Sequence, residues 1–172
     1  PNERAYSAVV DGAFDKEFLQ RLAALQQRLP TAPKEKASPN ERAYFADLEG
    51  WVVHAIAEAV AEVGSSAVEV LPHMRFLNYG SPGGSLPPHV DLPKWAPSGS
   101  RTTHSFLLYL THCTVGGETL LLEGADSDEA LARKGGLAAG DRATLAAVAP
   151  RRGRLLLMPH ACPHAASATV DV

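Results

Sequence analysis

Near Gly64 the hydrophobic period of this 172-residue chain changes, and that change limits its possible folds more than any other feature. Upstream, Phe14, Phe18, Leu22, Leu25 and Leu29 recur every three or four residues, the spacing that lines one face of a helix. Leu48, Val52, Ile56, Val60 and Val63 repeat it, with Gly64 placed as a C-terminal stop. Gly50 lies inside this second stripe and weakens its first turn. Between the stripes, Pro30, Pro33 and Pro39 break the polar stretch Thr31–Asn40 into a loop. From Val68 onward the apolar runs are short and punctuated by Gly and Pro, which predicts strands. They fall at His73–Tyr79, Leu86–Val90, Thr103–Cys113, Glu118–Glu123, Ala143–Val148, Arg154–Met158 and Ala165–Val172. Gly80–Ser85, Leu92–Ser100 and Gly124–Gly140 read as turns and loops. Two helices followed by antiparallel-looking strands predict an α+β domain, with helices packed on a β-sandwich or barrel.

Composition narrows the function. The net charge of -3 argues against a nucleic-acid binder held by phosphate contacts. No apolar run approaches a membrane span, and the N-terminus lacks a signal-peptide pattern. Two cysteines, Cys113 and Cys162, offer no disulfide framework and allow a reducing compartment, so the expected location is cytoplasmic. Seven histidines is the anomaly, six of them between His73 and His164. The hexapeptide Pro-Asn-Glu-Arg-Ala-Tyr occurs at Pro1–Tyr6 and again at Pro39–Tyr44, but its flanks do not match, so it marks no repeat architecture.

In an extended strand, residues i and i+2 point to the same side, so His89 and Asp91 present an imidazole and a carboxylate together. A histidine from a facing strand completes two histidines and one carboxylate, the set that suits non-heme Fe(II) with open positions. A lone His-x-Asp is weak evidence; the segments around it, taken in order, are stronger. Arg75-Phe76-Leu77-Asn78-Tyr79 leads to Gly80, then Gly83-Gly84, then His89-x-Asp91. Ser105-Phe106-Leu107-Leu108-Tyr109-Leu110 and Gly116-Gly117-Glu118-Thr119 follow. Gly153-Arg154-Leu155-Leu156-Leu157-Met158-Pro159-His160 closes the set, with His164 four residues on.

This ordered set resembles the Fe(II)- and 2-oxoglutarate-dependent dioxygenases, and within them the prolyl-4-hydroxylase-like branch, from about His73 to the end. The resemblance implies a double-stranded β-helix, a cupin-like jelly roll, with N-terminal helices on its major sheet. It implies one catalytic domain over residues 1–172, with 1–64 mainly helical support and 65–172 the jelly-roll core. His89 and Asp91 match the first two iron ligands. The third ligand is His164 rather than His160, which becomes a structural neighbour of the site. Tyr79 and Thr119 match residues that line the 2-oxoglutarate pocket. Fe(II) and 2-oxoglutarate are the implied cofactors, with ascorbate as reductant, and a peptide or small molecule is the substrate. The carboxylate at Asp91 implies hydroxylation, since halogenating relatives carry a small residue there.

The chain departs from the family pattern in one respect. The basic residue expected beyond the third ligand for the cosubstrate's distal carboxylate is absent, since His164 stands eight residues before Val172. A chain one strand short of its C-terminus is the expected reason. Otherwise Arg101 serves as the cation, with Arg75 and Arg154 weaker candidates; Arg75 and Trp95, on strand and loop beside the site, are candidate substrate contacts. A Cys/His zinc site around His160, Cys162 and His164 lacks a fourth ligand and a Cys-x-x-Cys pair. His54, His73, His104 and His112 read as surface or structural residues. Three rivals remain: a small-molecule hydroxylase of the same superfamily, a non-catalytic metal-binding jelly roll, and a cupin-type enzyme that ignores 2-oxoglutarate.

Overall fold

Asp15 starts the first helix. Its carboxylate accepts the backbone N–H of Phe18 at 2.7 Å, which satisfies one of the amides a helix leaves unpaired, and α1 runs Lys16–Arg28. Glu17 in the first turn and Arg28 in the last complement the helix dipole, and Leu19 and Leu22 are buried. In this computed structural model, residues 7–33, 40–63, 68–124 and 143–171 are described. Most of the expected Gly124–Gly140 loop and the first copy of the hexapeptide lie outside them.

The second helix, α2, is Trp51–Ala61 and begins later than its apolar stripe suggests. Gly50 takes a left-handed φ of 78°, and the Asp47 carboxylate accepts the N–H groups of Val52 and Val53 at 2.7 and 2.8 Å. Val52, Ile56 and Val60 are buried as predicted, but Leu48 lies before the helix and is 88% exposed, and Val63 lies beyond it. The stripe therefore overran the helix at both ends.

Among the described residues the rest is ten strands: β1 (Ala8–Val10), β2 (Ala32–Pro33), β3 (Glu41–Ala46), β4 (His73–Asn78), β5 (Leu86–His89), β6 (His104–Leu108), β7 (Thr119–Leu122), β8 (Thr144–Val148), β9 (Leu155–Pro159) and β10 (His164–Ala166). They form three sheets, ordered β1-β9-β6, β5-β10-β7-β8 and β2-β3-β4. All named pairs are antiparallel. β1, β2 and β3 were not foreseen: β1 and β2 are very short, and the charged start of β3 hides its alternation. β3 nevertheless pairs with β4 over its full length, from Glu41↔Asn78 to Ala46↔His73. The expected Ala165–Val172 strand shortens to β10, with a register shift between His164 and Ala166.

β9 divides the interior. Leu155 joins α1, α2, β3 and β4 residues in one buried cluster (Leu22, Ile56, Ala43 and Phe76 among them). Leu156 and Met158, on the opposite face as strand alternation requires, pack with Leu121 of β7 and Val148 of β8. The β1-β9-β6 and β5-β10-β7-β8 sheets thus share a core. Two glycine turns then secure the chain after β10. Gly83 donates to the Thr169 carbonyl at 2.7 Å, and Gly117 to that of Ala168 at 3.2 Å. Gly116 has φ 80°, and a Cβ there would lie 2.1 Å from the Ala168 carbonyl oxygen, so only glycine fits.

Candidate metal centre

His89 ends β5, Asp91 follows two residues later, and His164 opens β10 directly opposite His89 in the antiparallel register. Strand pairing alone therefore brings the two imidazoles together, with ring centroids 4.2 Å apart. One donor atom from each of His89, Asp91 and His164 lies within 4.8 Å of the others. His164 Nε2 stands 3.9 Å from Asp91 Oδ2, too far for a hydrogen bond.

The backbone sets both imidazole tautomers. His89 Nδ1 meets the Pro87 carbonyl at 2.9 Å, and His164 Nδ1 meets that of Cys162 at 3.1 Å. A carbonyl only accepts, so each Nδ1 carries the proton and each neutral ring presents a bare Nε2 lone pair. Burial, then neighbouring His89, pushes His164 below its ordinary pKa and keeps it neutral. Burial raises the Asp91 carboxyl, but the Ser105 hydroxyl, with the neighbouring imidazoles and the Arg75 charge, outweighs it and holds Asp91 below its usual range. Two imidazole nitrogens and a carboxylate converging this closely fit a divalent cation.

The other predicted residues lie around this triad. Tyr79, Thr119, Arg75 and Arg101 line the same cavity as His89, Asp91 and His164. Burial pushes the Tyr79 phenol up to about 12, against the opposing charges of Arg75 and Arg42, so it stays a hydrogen-bond donor. Thr119 is buried and its hydroxyl oxygen accepts the Tyr109 O–H at 2.7 Å. Arg75 is the arginine whose charge is felt at Tyr79, Asp91 and His164 alike. Arg101 sits instead on the loop after Asp91, its guanidinium 5.8 Å from the Trp95 ring centre. Trp95 is 72% exposed and outside the cavity lining. Cys162 contributes its carbonyl to His164, not a thiolate to a metal cluster among the described residues.

Three residues with no role assigned from the sequence belong here. Ser105 donates to Asp91 Oδ2 at 2.5 Å, Thr102 lies 2.8 Å from His160 Nε2, and Tyr109 holds Thr119. A weak signal was present for two of them: Ser105, Leu107 and Tyr109 alternate in the sequence, and a serine interrupts an otherwise apolar run.

This mostly-sheet domain with its His-Asp-His triad is similar in fold to oxygenases of known structure. Solved structures carry that likeness. A 2-oxoglutarate–Fe(II) oxygenase family oxidoreductase from Burkholderia pseudomallei superposes with a TM-score of 0.66 at 14% identity, over 98% of this chain and 81% of that one. A prolyl hydroxylase from Trichoplax adhaerens, solved with a hypoxia inducible factor peptide fragment, gives 0.62 at 14% identity, over 98% and 79%. HygX from Streptomyces hygroscopicus, solved with nickel and 2-oxoglutarate, gives 0.63 at 18% identity, over 95% and 77%. No known family pattern matches the sequence, and no curated protein matches it. The likeness is therefore one of fold.

Proposed function

We propose that this chain is an Fe(II)- and 2-oxoglutarate-dependent dioxygenase that hydroxylates an unactivated C–H bond. The observation that carries the proposal is the convergence of His89, Asp91 and His164 within 4.8 Å, in a fold whose solved relatives include such oxygenases. Their positions are those the sequence resemblance assigns to the iron ligands. The architecture that goes with this reading is a jelly roll with α1 and α2 packed on its sheets, and the buried cluster they share with β3, β4 and β9 supports it.

In the mechanism, His89, Asp91 and His164 would hold the metal, and a set of three protein ligands would leave it able to take the cosubstrate and oxygen. Bound Fe(II) supplies the redox chemistry that couples oxidative decarboxylation of 2-oxoglutarate to hydroxylation, so that R–H, 2-oxoglutarate and O₂ become R–OH, succinate and CO₂. The protein's own residues bind and orient. Tyr79 keeps its proton and donates to the cosubstrate's distal carboxylate. The Tyr109 hydroxyl hydrogen is spent on Thr119 Oγ1, so the Thr119 hydrogen is left to point at an acceptor in the cavity. Arg75 is the cation we assign to the same carboxylate in preference to Arg101, because its charge reaches Tyr79. As substrate class we propose a peptidyl proline, supported by the likeness to a prolyl hydroxylase that binds a peptide.

Succinate release from 2-oxoglutarate in the presence of Fe(II) and ascorbate tests the reading. Wild type is expected to form succinate, faster with a proline-containing peptide, and His89→Ala and Asp91→Ala to lose at least about a hundredfold. Iron-independent turnover rejects it in favour of another enzyme, and no turnover in any condition, with proline peptides and small metabolites alike, rejects it in favour of a non-catalytic module.

A further inference from the structure

His160 is the one histidine near the triad that the mechanism leaves without work, and it is the most tightly held. Its backbone bridges two segments: His160 N–H donates to the Thr103 carbonyl at 2.9 Å, and the His160 carbonyl accepts Asp91 N–H at 3.2 Å. Its ring meets the segment around Thr103 again, once with each nitrogen. His160 Nδ1 lies 3.2 Å from Ser105 Oγ, and Nε2 lies 2.8 Å from Thr102 Oγ1. Thr102 Oγ1 also accepts the Lys94 N–H at 2.8 Å.

Counting protons gives this network one direction. A carboxylate that serves a metal can only accept, so the single Ser105 hydrogen goes to Asp91 Oδ2. Ser105 Oγ then has only lone pairs for His160, and Nδ1 must be the donor. In the neutral ring that leaves Nε2 as acceptor, which takes the Thr102 hydrogen. Each hydroxyl gives one hydrogen and takes one, in a single sequence from Lys94 N–H through Thr102, His160 and Ser105 to Asp91. A reversed ring would set two acceptors against each other at Ser105 and leave the Thr102 hydrogen without the Nε2 lone pair to meet.

We propose that His160 is a positioning residue: held as its Nδ1–H tautomer by Thr102, it fixes the Ser105 hydroxyl and, through it, the orientation of the Asp91 carboxylate for the metal. The inference rests on the metal reading above. It also gives the loop after Asp91 a purpose. Lys94 and Thr102 are the two ends of that loop, joined by Thr102 N–H to the Lys94 carbonyl at 2.9 Å and by the Trp95–Arg101 bridge. A displacement of the loop is therefore felt at the carboxylate through three side chains.

The test uses the full chain, with Co(II) as probe and imidazole nitrogen shifts read by NMR in the metal-free protein above the pH at which the ring is protonated. His160 is expected to show a protonated Nδ1 and a bare Nε2, and Thr102→Val to shift population toward the Nε2–H form. His160→Leu is expected to weaken Co(II) binding about tenfold. His160→Asn, whose amide can still donate to Ser105, is expected to recover most of that loss. A predominantly Nε2–H ring in wild type overturns the proposal, as does a folded His160→Leu with wild-type Co(II) affinity. Where His160→Leu does not fold, an unchanged tautomer in Thr102→Val overturns it. The metal reading fails separately: Co(II) binding that survives in Asp91→Ala puts the ion elsewhere, and the tautomer still decides the relay.

Discussion

Tyr109 donates to Thr119 Oγ1 over 2.7 Å, and both side chains line the cavity that holds the triad. Burial raises the Tyr109 phenol, more than the bond to Thr119 lowers it, so the group is a donor at any physiological pH. Removing that donor in Tyr109→Phe leaves the Thr119 hydrogen free to turn away from the cavity. A neutral hydrogen bond of this kind contributes about 0.5–1.5 kcal/mol. The expected result is a KM for 2-oxoglutarate raised by about two- to tenfold with kcat nearly unchanged, the pattern of lost uniform binding. Steady-state kinetics with 2-oxoglutarate varied checks this, and an unchanged KM removes Thr119 from the cosubstrate pocket. The three converging side chains were legible in the sequence because His89-x-Asp91 is a strand-period pair and the family resemblance points to His164 after its Met-Pro-His turn. Ser105, Thr102 and Tyr109 carry no motif. Their roles come from which hydroxyl meets which acceptor across strands, and pairing of that kind is a property of the fold.

Asp47 is the element-scale counterpart. Its carboxylate is 6% exposed, stands before α2 and accepts two N–H groups from the first turn, at Val52 and Val53. A helix that begins on a left-handed glycine has no side chain of its own to do this. Asp47→Ala is expected to cost about 1–2 kcal/mol, the upper part of the range for a lost cap, because the amides are buried as well as unpaired. Urea denaturation of the two proteins measures it, and a difference below about 0.5 kcal/mol shows that solvent replaces the carboxylate. Asp47 also explains why the helix boundaries were misread. Hydrophobic spacing extends to Leu48 and Val63, but a helix ends where its backbone groups find other partners, and those partners are not apolar. The strands read better from Val68 onward, where Gly and Pro mark each turn, than before it, where Glu41 and Arg42 obscure the alternation of Ala43 and Phe45.

At the scale of the whole molecule, the triad stands where separate sheets meet. His89 lies on β5, the edge strand of the β5-β10-β7-β8 sheet, and His164 on its neighbour β10. Asp91, through Ser105, reaches β6 in the β1-β9-β6 sheet. A cation at this point therefore cross-links an edge strand to its own sheet and that sheet to the one facing it. Without it, two bare imidazole nitrogens and a carboxylate face one another with no attraction between them, which weakens the edge. Saturating Ni(II), chosen because it does not turn over, should then stabilise the fold by linkage, by about 2.7 kcal/mol at a hundred times its Kd. For a domain of this size that corresponds to a rise in Tm of about 5–10 °C. Thermal unfolding followed by circular dichroism should show the rise, EDTA should reverse it, and Asp91→Ala should abolish it. Hydrogen exchange adds the location: protection should increase at the amides around β5, Leu86 and His89 to Asp91, more than at β9, whose core is closed with or without metal. A Tm indifferent to Ni(II), or equal gains in wild type and Asp91→Ala, would mean that the three side chains are brought together by strand pairing alone.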